Sequence, residues 1–415
     1  MQENPSTPSQ DVEPETSWPL VLVLILAGVA AAFQVGKAPP VLKLIQDDLG
    51  MNLFLAGWIL STFTVIGLLM GSVSGAAADA LGHRRMLLTG LFVQAAGSVA
   101  GAAAGHAWLL FGTRILEGMG FLLVIVSAPT LIFRVTHSRD MRLALSGWSC
   151  FLPFGVALIM LIAPVLTAHF GWRGLWVING MILIAYALLA ARLTRKLPHP
   201  KTRRHVTPRS IARDILTTST SIGPLLLAVI FSTYTLQWLA VMGFLPTLLM
   251  EEHGMSLGRA SLLTALVVAI NVPGNLSGGW LMSRGARRSH LIISASLIMG
   301  VCSLLIYGSA FPFPIRYAGC LLFSGTGGLL PAAILSGAPA HAPRPDLVAT
   351  TNGLIMQGSQ FGQTVGPPVL GLLVSGYGGW HVAPWLLCTA ALMGAGLSFC
   401  LAYLERRQGA EAAQH

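Results

Sequence analysis

The sequence predicts an all-α membrane protein, with twelve transmembrane helices in two pseudo-symmetric six-helix halves. Three observations carry this expectation. First, 54% of the 415 residues are hydrophobic and only 10% charged, against roughly 25% charged in an ordinary soluble domain. The mean hydropathy is +0.71, and a water-soluble fold of this size has too little interior to hide that much apolar surface. Second, twelve runs approach the ~20 mostly apolar residues that a helix needs to cross hydrocarbon. Third, the chain repeats itself. Gly75-Ala-Ala-Ala-Asp79-Ala80-Leu81-Gly82-His83-Arg84-Arg85 returns, diluted, 204 residues later as Gly279-Trp-Leu-Met-Ser283-Arg284-Gly285-Ala286-Arg287-Arg288.

In order, residues 1–17 form a polar tail with Glu3, Asp11, Glu13 and Glu15. It lacks the basic region of a signal peptide and reads as disordered and cytoplasmic. The first span covers about Trp18–Val41, with Gln34, Lys37 and a Pro39-Pro40 pair that bends or ends it, and a loop follows over Lys43–Asn52. The second span, about Leu53–Ala76, leads into the repeated hairpin. The third is about Met86–Ala104, and the fourth, about Trp108–Phe133, carries Arg114 and Glu117. The fifth covers about Leu143–Ala168 and the sixth about Leu175–Arg192, after a Gly171-Trp172-Arg173 turn. This N-terminal half (18–192) is followed by a polar, Pro-containing, basic stretch, 193–220, which reads as a cytoplasmic linker. The second half (221–404) holds spans at about Ser221–Leu249, Leu257–Met282, His290–Ala310, Pro314–Ala338, Leu347–Val374 and Trp380–Leu404. Residues 405–415 form a short cytoplasmic tail.

The net charge of +10 is a signal of topology rather than of nucleic-acid binding. Placing Arg84 and Arg85 in the cytoplasm puts 19 of the 25 Lys and Arg there. Only Lys43, Arg173, Arg259 and Arg316 lie near outer loops, and only Lys37 and Arg114 lie within spans. Loops enriched in Lys and Arg stay inside, so both termini are expected in the cytoplasm. The five cysteines fall inside apolar runs without metal-ligand spacing and read as packing residues. No cofactor and no metal site is implied.

The duplication extends beyond the hairpin. Phe154-Gly155 answers to Phe361-Gly362, Gly118-x-Gly120 to Gly325-x-Gly327, and Gly171-Trp172 to Gly379-Trp380. Parallel repeats of this kind enclose a central cavity. At Gly75, Asp79, Gly82, Arg84 and Arg85 the hairpin resembles the G-x-x-x-D-R-x-G-R-R signature of the major facilitator superfamily. It departs at Ala80 and His83, where basic residues are usual. Arg114-x-x-Glu117-Gly118-x-Gly120 resembles that family's fourth-span motif. Leu236-Gln237-Trp238, Phe244-Leu245-Pro246-Thr247 and Pro129-Thr130 are similar to the cyanate-permease-like branch. The G-x-x-x-G-P motif of the multidrug antiporters is missing from the fifth span, and a run of that form stands instead at Gly362 to Pro367.

The resemblance implies a monomeric plasma (inner) membrane transporter working by alternating access, not an enzyme. Its partners are a small-molecule substrate, protons and membrane lipid. Glu117 is the one acid deep in a span, and an ionisable group at that depth is costly unless paired. Arg114 shares its helix face. Glu117 is the candidate proton carrier, and a permanent structural pair with Arg114 is the alternative. Lys37 either lines the cavity or snorkels outward. With Arg114 it leaves a positive excess, which points to an organic or inorganic anion as substrate. Tyr234, Gln237 and Trp238 share one face of the seventh span. Gln34, Gln357 and Gln360 are further candidates to line the cavity, or else to bond neighbouring helices. Gly75, Asp79, Gly82, Arg84 and Arg85 are expected to act as a conformational latch, with Asp79 against the N-terminus of the eleventh span, or simply to anchor their loop. Proton-coupled drug efflux is the alternative function. A non-transporting sensor is the reading from another class, and the short tail after Leu404 speaks against it.

Overall fold

The computed structural model describes residues 15–197 and 208–412, excepting the side chains of 72–81, 142, 196, 208–211 and 408–412. Residues 1–14, linker residues 198–207, and the side chains of Gly75 and Asp79 therefore lie outside the described residues.

The described chain folds as helices joined by turns and short 3-10 segments. The N-terminal part comprises α1 (Trp18–Gly36), α2 (Ala38–Leu49), α3 (Leu53–Leu81), α4 (His83–Ala102), α5 (Ala107–Val135), α6 (Met141–Ser149) and α7 (Phe151–Leu193). An amphipathic helix α8 (Pro208–Ser219) occupies part of the linker. There follow α9 (Ile222–His253), α10 (Leu257–Ala269), α11 (Asn271–Ser283), α12 (Arg288–Tyr307), α13 (Phe313–Gly327), α14 (Leu329–Leu335), α15 (Ala338–His341), α16 (Val348–Tyr377) and α17 (Ala383–Ala412). Among the described residues, nine helical stretches are long and apolar enough to cross a membrane.

Several expected boundaries are corrected. The first span does not end near Val41. It bends at Lys37 and continues as α2 to Leu49. Pro39 and Pro40 are accommodated because they stand in the first turn of α2, where backbone N–H groups have no helical partner. The fifth, eighth and tenth runs are each broken into two helices, at Cys150, Ile270 and Gly328. The fifth and sixth runs form one 43-residue helical stretch interrupted at Gly171, whose φ of 65° only glycine adopts easily.

The repeat recurs in backbone geometry. The positive-φ residues of the described chain are Gly50, Gly82, Gly171, Gly254, Gly285 and Gly378. They fall into three pairs just over 200 residues apart: Gly50 with Gly254, Gly82 with Gly285, and Gly171 with Gly378. Helix contacts repeat as well. A Cβ at Gly118 would stand 1.9 Å from the Phe63 carbonyl oxygen, and one at Gly274 2.1 Å from that of Gly325. The first joins α3 to α5 in the N-terminal series of helices (α1–α7), the second α11 to α13 in the C-terminal series (α9–α17). The Trp172 indole donates to Asp48 at 3.2 Å, and that of Trp380 to Glu251 at 3.0 Å.

The two series meet along a seam of α3 against α16, with α7 on α10 and α2 on α9. Glycines set the seam's spacing. A Cβ at Gly57 would meet the Pro367 backbone at 2.7 Å, and one at Gly371 the Leu53 carbonyl oxygen at 2.5 Å. Thr64 and Thr364 share a hydrogen bond of 2.8 Å across the same seam. Small residues that let backbones touch are how helices associate where no hydrophobic force separates protein from lipid.

Candidate functional site

The bend between α1 and α2 puts Lys37 against α5. Its Nζ lies 2.8 Å from Glu117 Oε1, and Arg114 Nη1 lies 2.5 Å from Glu117 Oε2. The exposures are 0% for Lys37, 1% for Arg114 and 0% for Glu117. Lys37 therefore does not snorkel. The bend turns it inward, and a carboxylate and two neutral oxygens replace the water it would otherwise seek. It donates to Gln34 Oε1 and, at 2.7 Å, to Ser98 Oγ. Ser98 in turn donates to the Trp176 carbonyl oxygen at 2.6 Å. Arg114 donates to the carbonyl oxygens of Gln34 at 2.7 Å and Ile59 at 3.0 Å. Trp176 presents its ring 4.3 Å from Lys37 Nζ, and Phe63 its ring 4.7 Å from the Arg114 guanidinium. One carboxylate thus sits between two cations, with aromatic faces closing the cage. With Glu117 ionised, and Lys37 and Arg114 both charged, the triad carries one net positive charge in a buried interior.

The other selected residues divide into three places. Gln34 borders the triad, its Nε2 buried without a partner. On α9, Gln237 is 1% exposed, bonds its own helix at Thr233, and keeps Oε1 unpartnered. Tyr234 is buried and stacks with Phe231, while Trp238 is half-buried with its indole N–H unpartnered. Gln357 and Gln360 lie in the α3–α16 seam. Gln357 donates to the Leu68 carbonyl oxygen at 3.1 Å, and Gln360 fills the space beside Gly67.

The hairpin arginine Arg84 reaches back within its own series, to the carbonyl oxygens of Ala191 at 2.8 Å and Thr194 at 2.9 Å. Gly82 forms the turn with φ 91°, and Arg85 is exposed. A cleft of about 470 Å³ lined by Gln46, Leu53, Glu251, Glu252 and Trp380 lies where α2, α9 and α16 meet, and it contains none of the selected residues.

Sequence reasoning missed Ser98, Trp176 and Phe63. Each is an ordinary packing residue in its own run, and only proximity to Lys37 or Arg114 marks it. No periodic or motif signal singles them out.

Long apolar helices around a fully buried charged centre define an integral membrane protein. The chain belongs to the Major Facilitator Superfamily, whose profile matches residues 24–367. The 4-hydroxybenzoate transporter PcaK of Pseudomonas aeruginosa is 25% identical, over 92% of this chain and 92% of that one. The niacin transporter NiaP of Acinetobacter baylyi is 23% identical over 73% of this chain and 75% of its own length. The multidrug efflux pump LfrA of Mycolicibacterium smegmatis is 29% identical over 47% of this chain, which spans only 39% of that pump. Among solved structures, a bacterial homologue of the human lysosomal transporter Spinster, in an inward-facing and occupied conformation, superposes with a TM-score of 0.77. It is 15% identical, over 93% of this chain and 96% of that one, and the likeness is one of fold.

Proposed function

We propose that the chain carries a small organic anion, a carboxylate, together with a proton, by alternating access across the inner membrane. The observation that carries this is the buried Lys37–Glu117–Arg114 triad, with two cations to one carboxylate. Arg cannot give up its proton in a protein, so the site always needs negative charge. When Glu117 is ionised it supplies that charge itself. When Glu117 takes a proton, two buried cations face no anion, and a substrate carboxylate fills the gap. The empty site (Lys⁺, Arg⁺, Glu⁻) and the loaded site (Lys⁺, Arg⁺, GluH, substrate⁻) then carry the same net charge. One proton moves with one monocarboxylate, and the transport step is electroneutral.

The relatives named for 4-hydroxybenzoate and niacin, matched over 92% and 75% of their own lengths, support an acid as substrate. The match to a drug pump carries less weight, because it covers only 47% of this chain and 39% of that pump. The leaning toward the cyanate-permease-like branch rests on the α5 and α9 residues alone.

The architecture behind this reading is twelve spans in two halves. Nine stretches are long and apolar enough. At ~1.5 Å per residue, the 43-residue α7 is about twice a bilayer's ~30 Å, so it counts as two spans broken at Gly171. Helices α4 and α16, of 20 and 30 residues, complete the set. The Lys and Arg bias places both termini and the linker in the cytoplasm.

The test is benzoate uptake into proteoliposomes of the full chain. An inward proton gradient should drive accumulation, a membrane potential alone should not, and Glu117→Gln should abolish the dependence on pH. A Glu117→Gln transporter with an unchanged pH profile would exclude the proton role of Glu117.

A further inference from the structure

A row of aromatic rings starts at the triad and runs out of it. Phe63, on the Arg114 guanidinium, meets Phe121 at 5.2 Å between ring centroids. Phe121 meets Phe151 at 6.4 Å, and Phe151 stacks on Trp148 at 4.3 Å with planes 26° apart. Exposure rises along the row. Phe63 is 3% exposed and Phe121 9%, while Phe151 and Trp148 are half-buried. The rings come from four helices, α3, α5, α7 and α6, and α1 backs the outermost pair. A Cβ at Gly28 would stand 2.7 Å from Trp148 and 3.0 Å from Phe151, so the pair is seated on a glycine. Ordinary core packing explains Phe63. Beyond it, Phe121 belongs to the buried core, and Phe151 and Trp148 pack against that core while staying half-buried, so the row leads from the charged centre toward the less buried end of this half.

We propose that Phe121, Phe151 and Trp148 form the ring subsite of the anion site, so that the carried anion is an aromatic carboxylate. This rests on the anion reading above and extends it. The acid group pairs with Lys37 and Arg114, and the ring lies against Phe121 and Phe151. Trp148, stacked on Phe151, holds that ring in place at the outer end of the row. An aromatic ring gains from offset or edge-to-face contact with other rings beyond the area it buries. A saturated ring of the same size gains burial alone. An aliphatic acid would find the charges but not the wall.

The experiment compares binding of benzoate and cyclohexanecarboxylate to the purified full-length protein by calorimetry. The two probes share the acid group and the ring size and differ in aromaticity. Wild type should prefer benzoate by about three- to tenfold. Phe121→Leu and, separately, Trp148→Leu should bring that ratio toward one while leaving cyclohexanecarboxylate affinity little changed, which also shows that each variant is folded with its charges in place. Gly28→Ala, which displaces the Trp148–Phe151 pair without removing a ring, should lower the ratio as well. A ratio near one in wild type, or one that none of the variants moves, would overturn the ring subsite while the anion reading stood. Binding of neither acid to wild type would overturn both.

Discussion

Replacing Glu117 by Gln keeps the shape of the side chain and removes its charge. Lys37 and Arg114 approach its two oxygens at 2.8 and 2.5 Å, and no member of the triad is more than 1% exposed. An amide can accept from one cation, but it must turn its NH₂ toward the other. Two like charges then remain buried, with the amide oxygen the one neutral acceptor that replaces the carboxylate between them. Removing one partner of a buried pair costs about 3–5 kcal/mol. At about 2–4 °C per kcal/mol for a domain the size of one half, the apparent melting temperature falls by roughly 6–20 °C. The same reasoning predicts rescue. A carboxylate at a hundred times its Kd contributes about 2.7 kcal/mol, so benzoate should restore roughly 5–11 °C. The assay is thermal unfolding of the purified full chain across a benzoate titration, with neutral benzyl alcohol as control. Lys37→Met added to Glu117→Gln should recover part of the loss, because it removes one uncompensated cation. A Glu117→Gln protein as stable as wild type, or one that benzoate does not stabilise, would refute the reasoning.

Four other variants have definite expected outcomes. Gly118→Ala places a Cβ 1.9 Å from a backbone oxygen of α3 and should cost more than about 3 kcal/mol, read as loss of monodisperse protein on gel filtration. Gly112→Ala, on the same helix with open space around it, should instead stabilise by about 1 kcal/mol. Arg84→Ala breaks bonds to Ala191 and Thr194 within one series and should lower the melting temperature by an amount equivalent to about 1–3 kcal/mol. Because these bonds do not cross the seam, the variant should leave the inward-to-outward ratio, read by spin-label distances, unchanged. A cysteine introduced by Arg213→Cys in α8 should react with an impermeant maleimide only from the cytoplasmic side, and labelling of intact cells from outside would reverse the proposed orientation.

How much was legible differs from residue to residue. Arg114 and Glu117 announce themselves as a pair because residues three apart on one helix share a face. Lys37 shows its cost but not its partner: its stem is long enough to reach either the outer surface or the interior. The choice fell to a bend at Lys37, which the two prolines signal and whose direction they do not. Gln357 and Gln360 read as a polar pair on one helix, yet their neighbours are Gly71 and Gly67 of α3, almost 300 residues earlier in the chain. Arg84 sits in a hairpin that resembles a latch, while its acceptors are carbonyls at the end of α7.

What the sequence by itself determined is the solvent, the class of element and the duplication. Hydropathy, turn glycines and repeated motifs are properties of neighbours along the chain, and a bilayer forces every apolar run of sufficient length to satisfy its own backbone as a helix. What only the tertiary structure decided is which polar groups meet. Lys37 and Glu117 are 80 residues apart, and their contact depends on how each helix is rotated and bent. In lipid, that rotation is set by close packing at small residues rather than by a hydrophobic face, so no periodicity in the sequence records it.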